Sequence, residues 1–126
     1  IPEDHPLAGA ETFPVQVFAD EPFMLLEKGG KAEIAEVFAK HKIKPDVRFT
    51  TWDDYAVMSM VEQGLGISIL PRLILRRIPY HVVVKPFDYP AYRMIGLAMK
   101  NRKTASAAVK RFIEYLDYRD DDAYTE

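Results

Sequence analysis

Apolar and polar residues follow one another along the first half of the chain in a pattern that predicts strands separated by helices. Two short, mainly apolar runs, residues 23–26 and 67–70, are typical of buried strands, and residues 47–49 alternate like a short strand. Between them, residues 31–42 carry apolar side chains at helical spacing, and a second helix starts after Thr50-Thr51 and ends at Gly64. Because strands and helices alternate, we expect a parallel sheet with right-handed crossovers.

After Pro71 the pattern changes. Proline suits the first turn of a helix, so residues 72–76 are expected to form a short helical segment. Residues 81–84 and 94–99 have the apolar runs of strands, and the proline-rich stretch 86–90 between them predicts a loop.

The C-terminal part predicts the clearest helix of the chain. Its apolar positions recur at three and four residues from Thr104 onwards: Ala105, Ala108, Val109, Phe112, Ile113 and Leu116. The last residues, 119–126, have no apolar period, and we expect a disordered tail there.

Composition limits the chain to one domain or a piece of a larger one. It has 126 residues, 48% of them hydrophobic, and a net charge of -2. That charge provides no basic field, so we do not expect this chain to bind DNA by itself. It has no cysteine and no apolar run of the roughly 20 residues that span a bilayer, and its first residues do not follow the basic-then-apolar pattern of a signal peptide. Because the chain opens on Ile rather than Met, we expect residues to precede it.

The chemistry-bearing residues do not form an arrangement typical of an enzyme. The three histidines, His5, His41 and His81, are far apart, and no serine lies in a Gly-x-Ser-x-Gly pattern. Gly64 and Gly66 end a helix and enter a strand, the reverse of the order in a dinucleotide fingerprint. We therefore predict no catalytic residues, no cofactor and no metal site.

Five stretches, in this order, form a pattern that is more specific than any one of them. They are D-H-P-L-A at 4–8, P-F-M-L at 22–25, V-E-Q-G-L-G-I-S-I-L-P at 61–71, R-M-I-G-L-A at 93–98, and the closing helix through Phe112-Ile113. Together they resemble the effector-binding domain of LysR-type transcriptional regulators. The G-L-G-I-S-I-L-P stretch contributes most to this resemblance.

The resemblance implies an α/β fold similar to type II periplasmic binding proteins, with one complete lobe and part of the second. The expected divisions are residues 1–13 as the end of the opening part of lobe I, 14–80 as lobe II, 81–118 as the return crossover and the C-terminal part of lobe I, and 119–126 as the tail.

The same resemblance implies a function and partners. The chain would sense a small-molecule effector, with a carboxylate-bearing compound as one candidate, in a cytoplasmic homodimer or homotetramer with no membrane contact. It would act on DNA only through an N-terminal winged helix-turn-helix, which this chain lacks. The alternative is a fragment of a type II solute-binding protein that serves a transporter.

The first candidate effector site is the turn Gly29-Gly30-Lys31, between a predicted strand and a predicted helix. Backbone N–H groups, the helix dipole and the Lys31 ammonium could together hold an anionic group. The alternative is a tight turn that requires glycine torsions.

The second candidate effector site is Thr50 and Thr51, whose hydroxyls could donate to a carboxylate. The resemblance places effector contacts at this junction between strand and helix. The alternative is that they cap the next helix through two overlapping Thr-x-x-Asp boxes. Asp53 and Asp54 would repel an anionic ligand, and Trp52, which could stack on a ligand, is expected in the core.

Overall fold

A computed structural model describes residues 1–27, 32–92 and 95–116. The chain divides into two compact units, Ile1–Arg93 and Met94–Glu126. The expectations for Gly29, Gly30 and Lys31 and for the tail at 119–126 lie outside the described residues. The predicted division into lobes at 13/14, 80/81 and 118/119 stays a prediction.

The first unit is built on a three-stranded parallel sheet. Strand β1 (Pro22–Leu26) lies in the centre, between β2 (Asp46–Thr51) and β3 (Ile67–Ser68). The register pairs Leu25 with Thr50 and Phe23 with Ile67. The parallel sheet predicted from the alternation of elements is confirmed, and β3 is shorter than the apolar run at 67–70.

The two faces of the sheet carry different cores, because successive residues of β1 point to opposite sides. Phe23 packs edge-to-face on Phe18 and Phe38, with ring centroids 5.4 and 5.3 Å away. On the other face, Met24 packs with Val57 and Val61. Burying both faces of one strand explains why its sequence is an uninterrupted apolar run.

Each of the two helices of this unit covers one face. Helix α1 (Ala32–His41) supplies Phe38, and helix α2 (Asp54–Glu62) supplies Val57 and Val61. A 3₁₀ helix, Val15–Ala19, adds Phe18 to the aromatic side.

The start of α2 differs from the prediction. Its N-cap is Asp53, whose Oδ1 accepts a 2.9 Å hydrogen bond from the Tyr55 N–H. Thr50 and Thr51 belong to β2, so the prediction that they cap the helix is wrong. The two Thr-x-x-Asp patterns predict a cap at Thr50 or Thr51, before the observed N-cap. Pairing with β1 keeps both threonines in extended backbone up to residue 51.

Both helices end in the same hydrogen-bonded turn. After α2, Gly64 has φ +71, its N–H donates to Val61 O, and the Leu65 N–H donates to Met60 O. After α1, Lys42 has φ +57, its N–H donates to Ala39 O, and the next N–H, of Ile43, donates back to Phe38 O. This pattern is the Schellman motif, which glycine usually closes, so Lys42 occupies a position that is unfavourable for a side chain.

Gly66 allows β3 to lie against β1. Its φ is +153, and a Cβ atom there would lie 2.2 Å from the Pro22 carbonyl oxygen and 2.7 Å from Met24 Cε. The Gly-x-Gly of the G-L-G-I stretch therefore has two separate roles. Gly64 ends the helix, and Gly66 removes the side chain where two backbones approach.

The D-H-P-L-A stretch folds around its histidine. His5 Nδ1 accepts from the Leu7 N–H at 3.0 Å, which leaves Nε2 to carry the proton toward Glu21, at 2.9 and 3.0 Å from its two oxygens. This ring thus links the N-terminal segment to the residue that precedes β1.

The N-terminal segment also pairs with residues far along the chain. Ile1 and Val83 exchange backbone hydrogen bonds of 2.8 and 3.0 Å, and Pro2 forms an antiparallel bridge with Val82. We call these four residues the ribbon. The strand predicted at 81–84 is reduced to this bridge.

Two further predictions for the first unit can be compared with the structure. The helical segment expected at 72–76 is a 3₁₀ helix, Ile74–Arg77, which begins two residues later. The loop at 86–90 is irregular apart from one bridge between Phe13 and Phe87.

The second unit contains helix α3 (Ala107–Leu116). The Ser106 hydroxyl accepts from the Val109 N–H at 3.3 Å and caps it, so the predicted helix is confirmed but starts after residue 106. The strand predicted at 94–99 does not form over 95–99. A strand needs a neighbour for its N–H and C=O groups, and the described residues pair no strand with this segment.

Candidate functional site

The candidate site lies where the parallel strands end. In α/β sheets, ligands bind outside the carboxyl ends of the strands, because loops and helix N-termini meet there. In this chain that edge follows Leu26, Thr51 and Ser68. The residues that continue from β2 into α2 line an open depression: Thr50, Thr51, Trp52, Asp53, Asp54 and Tyr55.

The two threonines present hydroxyls to this depression in different ways. Thr50 is exposed, and Thr51 is half-buried. The Thr51 Oγ1 accepts from the Asp53 N–H at 3.2 Å, which leaves its own O–H to donate. The Thr51 carbonyl accepts from the Glu27 N–H at 2.9 Å, which joins the ends of β1 and β2. The geometry is suited to hydrogen bonding with a small polar ligand.

The charged side chains that line the depression are both carboxylates, Asp53 and Asp54. They lie at the positive end of the α2 dipole, and Asp53 already accepts a hydrogen bond there. An acidic group of a ligand would gain from the dipole but would be repelled by both carboxylates.

The aromatic residues of the depression were not predicted correctly. Trp52 is 76% exposed, so the expectation that it packs in the core is wrong. Tyr55 is also exposed, and its ring lies 6.3 Å from that of Tyr80. The residues around Trp52 do not indicate whether its ring is exposed or buried, because it lies between a strand and a helix cap and belongs to neither periodic pattern.

Sequence reasoning also missed a cavity of about 100 Å³ in the first unit. Its wall includes Met58 and Val61 of α2, Leu75 of the 3₁₀ helix, and Ser68 at the end of β3. The ribbon and the residues that follow it, as far as Lys85, close another side. These residues come from five separate parts of the sequence, so no local motif indicates them.

Two further findings concern the described residues only. Within 1–27, 32–92 and 95–116, no group of three or more His, Asp or Glu side chains could hold a metal ion. Over the same part of the chain, no helix is long and apolar enough to cross a membrane.

The chain belongs to the LysR substrate binding domain family, whose sequence model matches residues 1–120. The resemblance carried by the D-H-P-L-A and G-L-G-I-S-I-L-P stretches is confirmed.

Curated relatives support the same assignment. The chain is similar to two uncharacterized HTH-type transcriptional regulators of Bacillus subtilis (strain 168). YvbU is 31% identical over 114 residues, which cover 89% of this chain and 39% of YvbU. YybE is 32% identical over 120 residues, which cover 92% of this chain and 40% of YybE. The chain therefore spans about two fifths of the length of these relatives.

Solved structures confirm the fold. The Synechocystis PCC6803 CcmR regulatory domain, solved in complex with 2-PG, is 25% identical, with a TM-score of 0.66 over 91% of this chain and 58% of that solved chain. The effector binding domain of QuiR, solved in complex with shikimate, is 26% identical, with a TM-score of 0.62 over 73% of this chain and 44% of that solved chain. The predicted α/β fold, similar to type II periplasmic binding proteins, is therefore the fold of this chain.

Proposed function

We propose that this chain is the effector-sensing domain of a LysR-type transcriptional regulator in the cytoplasm. It would control transcription through a winged helix-turn-helix domain that lies outside the chain. Two observations support this proposal: the family assignment over residues 1–120, and relatives that are HTH-type regulators more than twice as long as this chain. Those relatives also favour a regulator over the receptor of a transporter.

The observation that carries the proposal is the position of Thr50 and Thr51. Both lie at the carboxyl end of β2, on the rim of an open depression. The related domains of QuiR and CcmR were solved with small molecules, shikimate and 2-PG. We infer that the two threonine hydroxyls donate to the effector of this protein, together with the turn Gly29-Gly30-Lys31.

The proposed mechanism needs no bond to break. An effector that binds one arrangement of the domain more tightly than another shifts the population toward the first arrangement. The shift cannot exceed the difference in binding free energy between the two arrangements. The DNA-binding domain would respond to that shift.

Thr50 allows a test with a matched control. Thr50→Val keeps the shape of the side chain and removes the hydroxyl, whereas Thr50→Ser keeps the hydroxyl. In the intact regulator, a metabolite library would be screened for compounds that change DNA retention. We expect Thr50→Val to weaken the effect of the active compound by about fivefold, the value of one hydrogen bond near 1 kcal/mol.

Thr50→Ser should retain the response, and both variants should keep the thermal midpoint of the parent because Thr50 is exposed. If Thr50→Val responds to the compound exactly as the parent does, Thr50 is not part of the site. If no compound changes DNA retention, the regulator proposal itself fails.

We also propose that the protein self-associates through β2. This strand is an edge of the sheet, and its outward residues Val47 and Phe49 are exposed, Phe49 by 52%. An exposed apolar edge strand pairs readily with a second copy. Phe49→Lys should lower the oligomeric state measured by analytical ultracentrifugation, while Lys44→Gln, also on an exposed residue, should not. An unchanged oligomer in Phe49→Lys would place the interface elsewhere.

A further inference from the structure

The cavity of about 100 Å³ is separate from the depression at Thr50. It lies at the carboxyl end of β3, whereas the threonines lie at the carboxyl end of β2, with β1 between them. Two strand spacings amount to about 10 Å. A small ligand group in the cavity therefore need not touch the threonines.

The side chains of the cavity wall are mostly apolar. Met58 and Val61 are nearly fully buried, and only two lining side chains are polar, Ser68 and Lys85. The Ser68 hydroxyl already donates to Met24 O at 2.7 Å. Of these two polar side chains, Lys85 is therefore the one whose hydrogen-bond donors are left to bind a ligand.

Lys85 is half-buried and forms no ion pair within the described residues. A second nitrogen at the wall, the backbone nitrogen of Ile1, already donates to Val83 O at 3.0 Å. The cation presented to the cavity is therefore Lys85, and its natural complement is an acid.

We propose that this cavity takes the apolar body of the effector, about the size of one six-membered ring, and that Lys85 pairs with an acidic group attached to it. An apolar cavity of about 150 Å³ accepts benzene, so a space of about 100 Å³ sets one such ring as the upper limit for the buried part. The inference rests on the proposed function, and it assigns the acidic group of the effector to Lys85 rather than to the carboxylate-lined depression.

The cavity also offers a way to transmit binding. Its wall combines α2, β3 and the ribbon, so a ligand inside it contacts residues that are distant in sequence. Occupancy would hold the ribbon against α2 and β3. The effector would therefore bind more tightly when the ribbon lies in this position than when it lies elsewhere, and that difference in affinity would shift the population of the domain.

The test uses three probes with the intact protein in isothermal titration calorimetry. Benzoate has both the ring and the acid, benzamide has the ring without the charge, and acetate has the acid without the ring. We expect benzoate to bind most tightly, benzamide about three- to tenfold more weakly, and acetate not measurably, since each lacks one of the two contacts.

Three variants locate the binding. Lys85→Gln should reduce benzoate affinity to that of benzamide and leave benzamide unchanged, while Lys44→Gln, an exposed lysine outside the cavity, should change neither. Val61→Phe should fill the cavity and abolish binding of both probes. Because Val61→Phe could also fail to fold, Leu75→Phe fills the same space from the 3₁₀ helix and serves as the second variant.

The outcomes are decisive in both directions. Undetectable benzoate binding, or benzoate affinity that is equal in the parent and Lys85→Gln, overturns the assignment. If the intact regulator carrying Leu75→Phe keeps a response to its effector that depends on Thr50, the cavity inference fails and the proposed function stands. If benzoate does not bind and no compound changes DNA retention, both proposals fail.

Discussion

Gly66 offers the most direct test of how this fold is held together. The change is Gly66→Ala, which adds one carbon atom at a position with φ +153. That carbon would lie 2.2 Å from the Pro22 carbonyl oxygen, a distance that real Cβ contacts essentially never show. Two of the three nearest atoms, the carbonyl carbon and oxygen of Pro22, are backbone atoms of β1, which cannot rotate away as the third, Cε of Met24, can.

The cost can be worked out in two parts. An alanine at positive φ costs roughly 1–2 kcal/mol from its own backbone. Relieving the contact also requires β3 to move away from β1, which weakens the Phe23–Ile67 pairing and the 2.7 Å hydrogen bond from Ser68 to Met24 O. We expect a total loss of about 3–5 kcal/mol, the range of exceptional substitutions.

Gly64→Ala is the matched control. Gly64 has φ +71 but no atom within 4 Å of an added Cβ, so only the backbone term applies, about 1 kcal/mol. Urea unfolding followed by circular dichroism would compare both variants with the parent. A Gly66→Ala loss no larger than that of Gly64→Ala would refute the claim that close approach of the backbones decides this position.

The remaining predictions concern single contacts and use the same unfolding assay. Lys42→Gly should raise stability by about 1 kcal/mol, because glycine suits φ +57 better; a lower stability would contradict the reasoning. Asp53→Ala should lower the free energy of unfolding by about 1 kcal/mol because it removes the N-cap of α2, whereas Thr50→Ala should change it little. A larger loss in Thr50→Ala than in Asp53→Ala would indicate that Thr50 caps α2. His5→Ala should cost about 1–3 kcal/mol by breaking hydrogen bonds to Leu7 and Glu21, while His81→Ala, on an exposed side chain, should stay within about 0.5 kcal/mol. Equal effects of the two histidine changes would argue against the proposed role of His5.

The elements that local pattern predicts well are those in which apolar residues recur with a regular period over several positions. The runs at 23–26 and 47–49 form paired parallel strands, and the spacing in 31–42 and 104–116 marks real helices. Gly64 ends α2 as expected, because its role depends on one torsion angle and on hydrogen bonds to the preceding turn.

Predictions failed where long-range contacts decide the outcome. The threonine cap was placed too early because pairing with β1 keeps Thr50 and Thr51 in the strand. Residues 95–99 have the composition of a strand, but a strand also requires a neighbouring backbone, which composition does not supply. Trp52 was expected in the core, where such rings usually pack, and instead it is 76% exposed between β2 and α2.

The sequence by itself determined the α/β class, the order of the main elements of the first unit and the family, because periodicity, caps and short motifs are local properties. Only the tertiary structure decided why Gly66 is glycine, how His5 is held, and that Lys85 stands at an apolar cavity beside α2. These depend on which backbones and side chains meet across the fold. Such distances are set by the packing of the whole first unit, and no short stretch of residues encodes them.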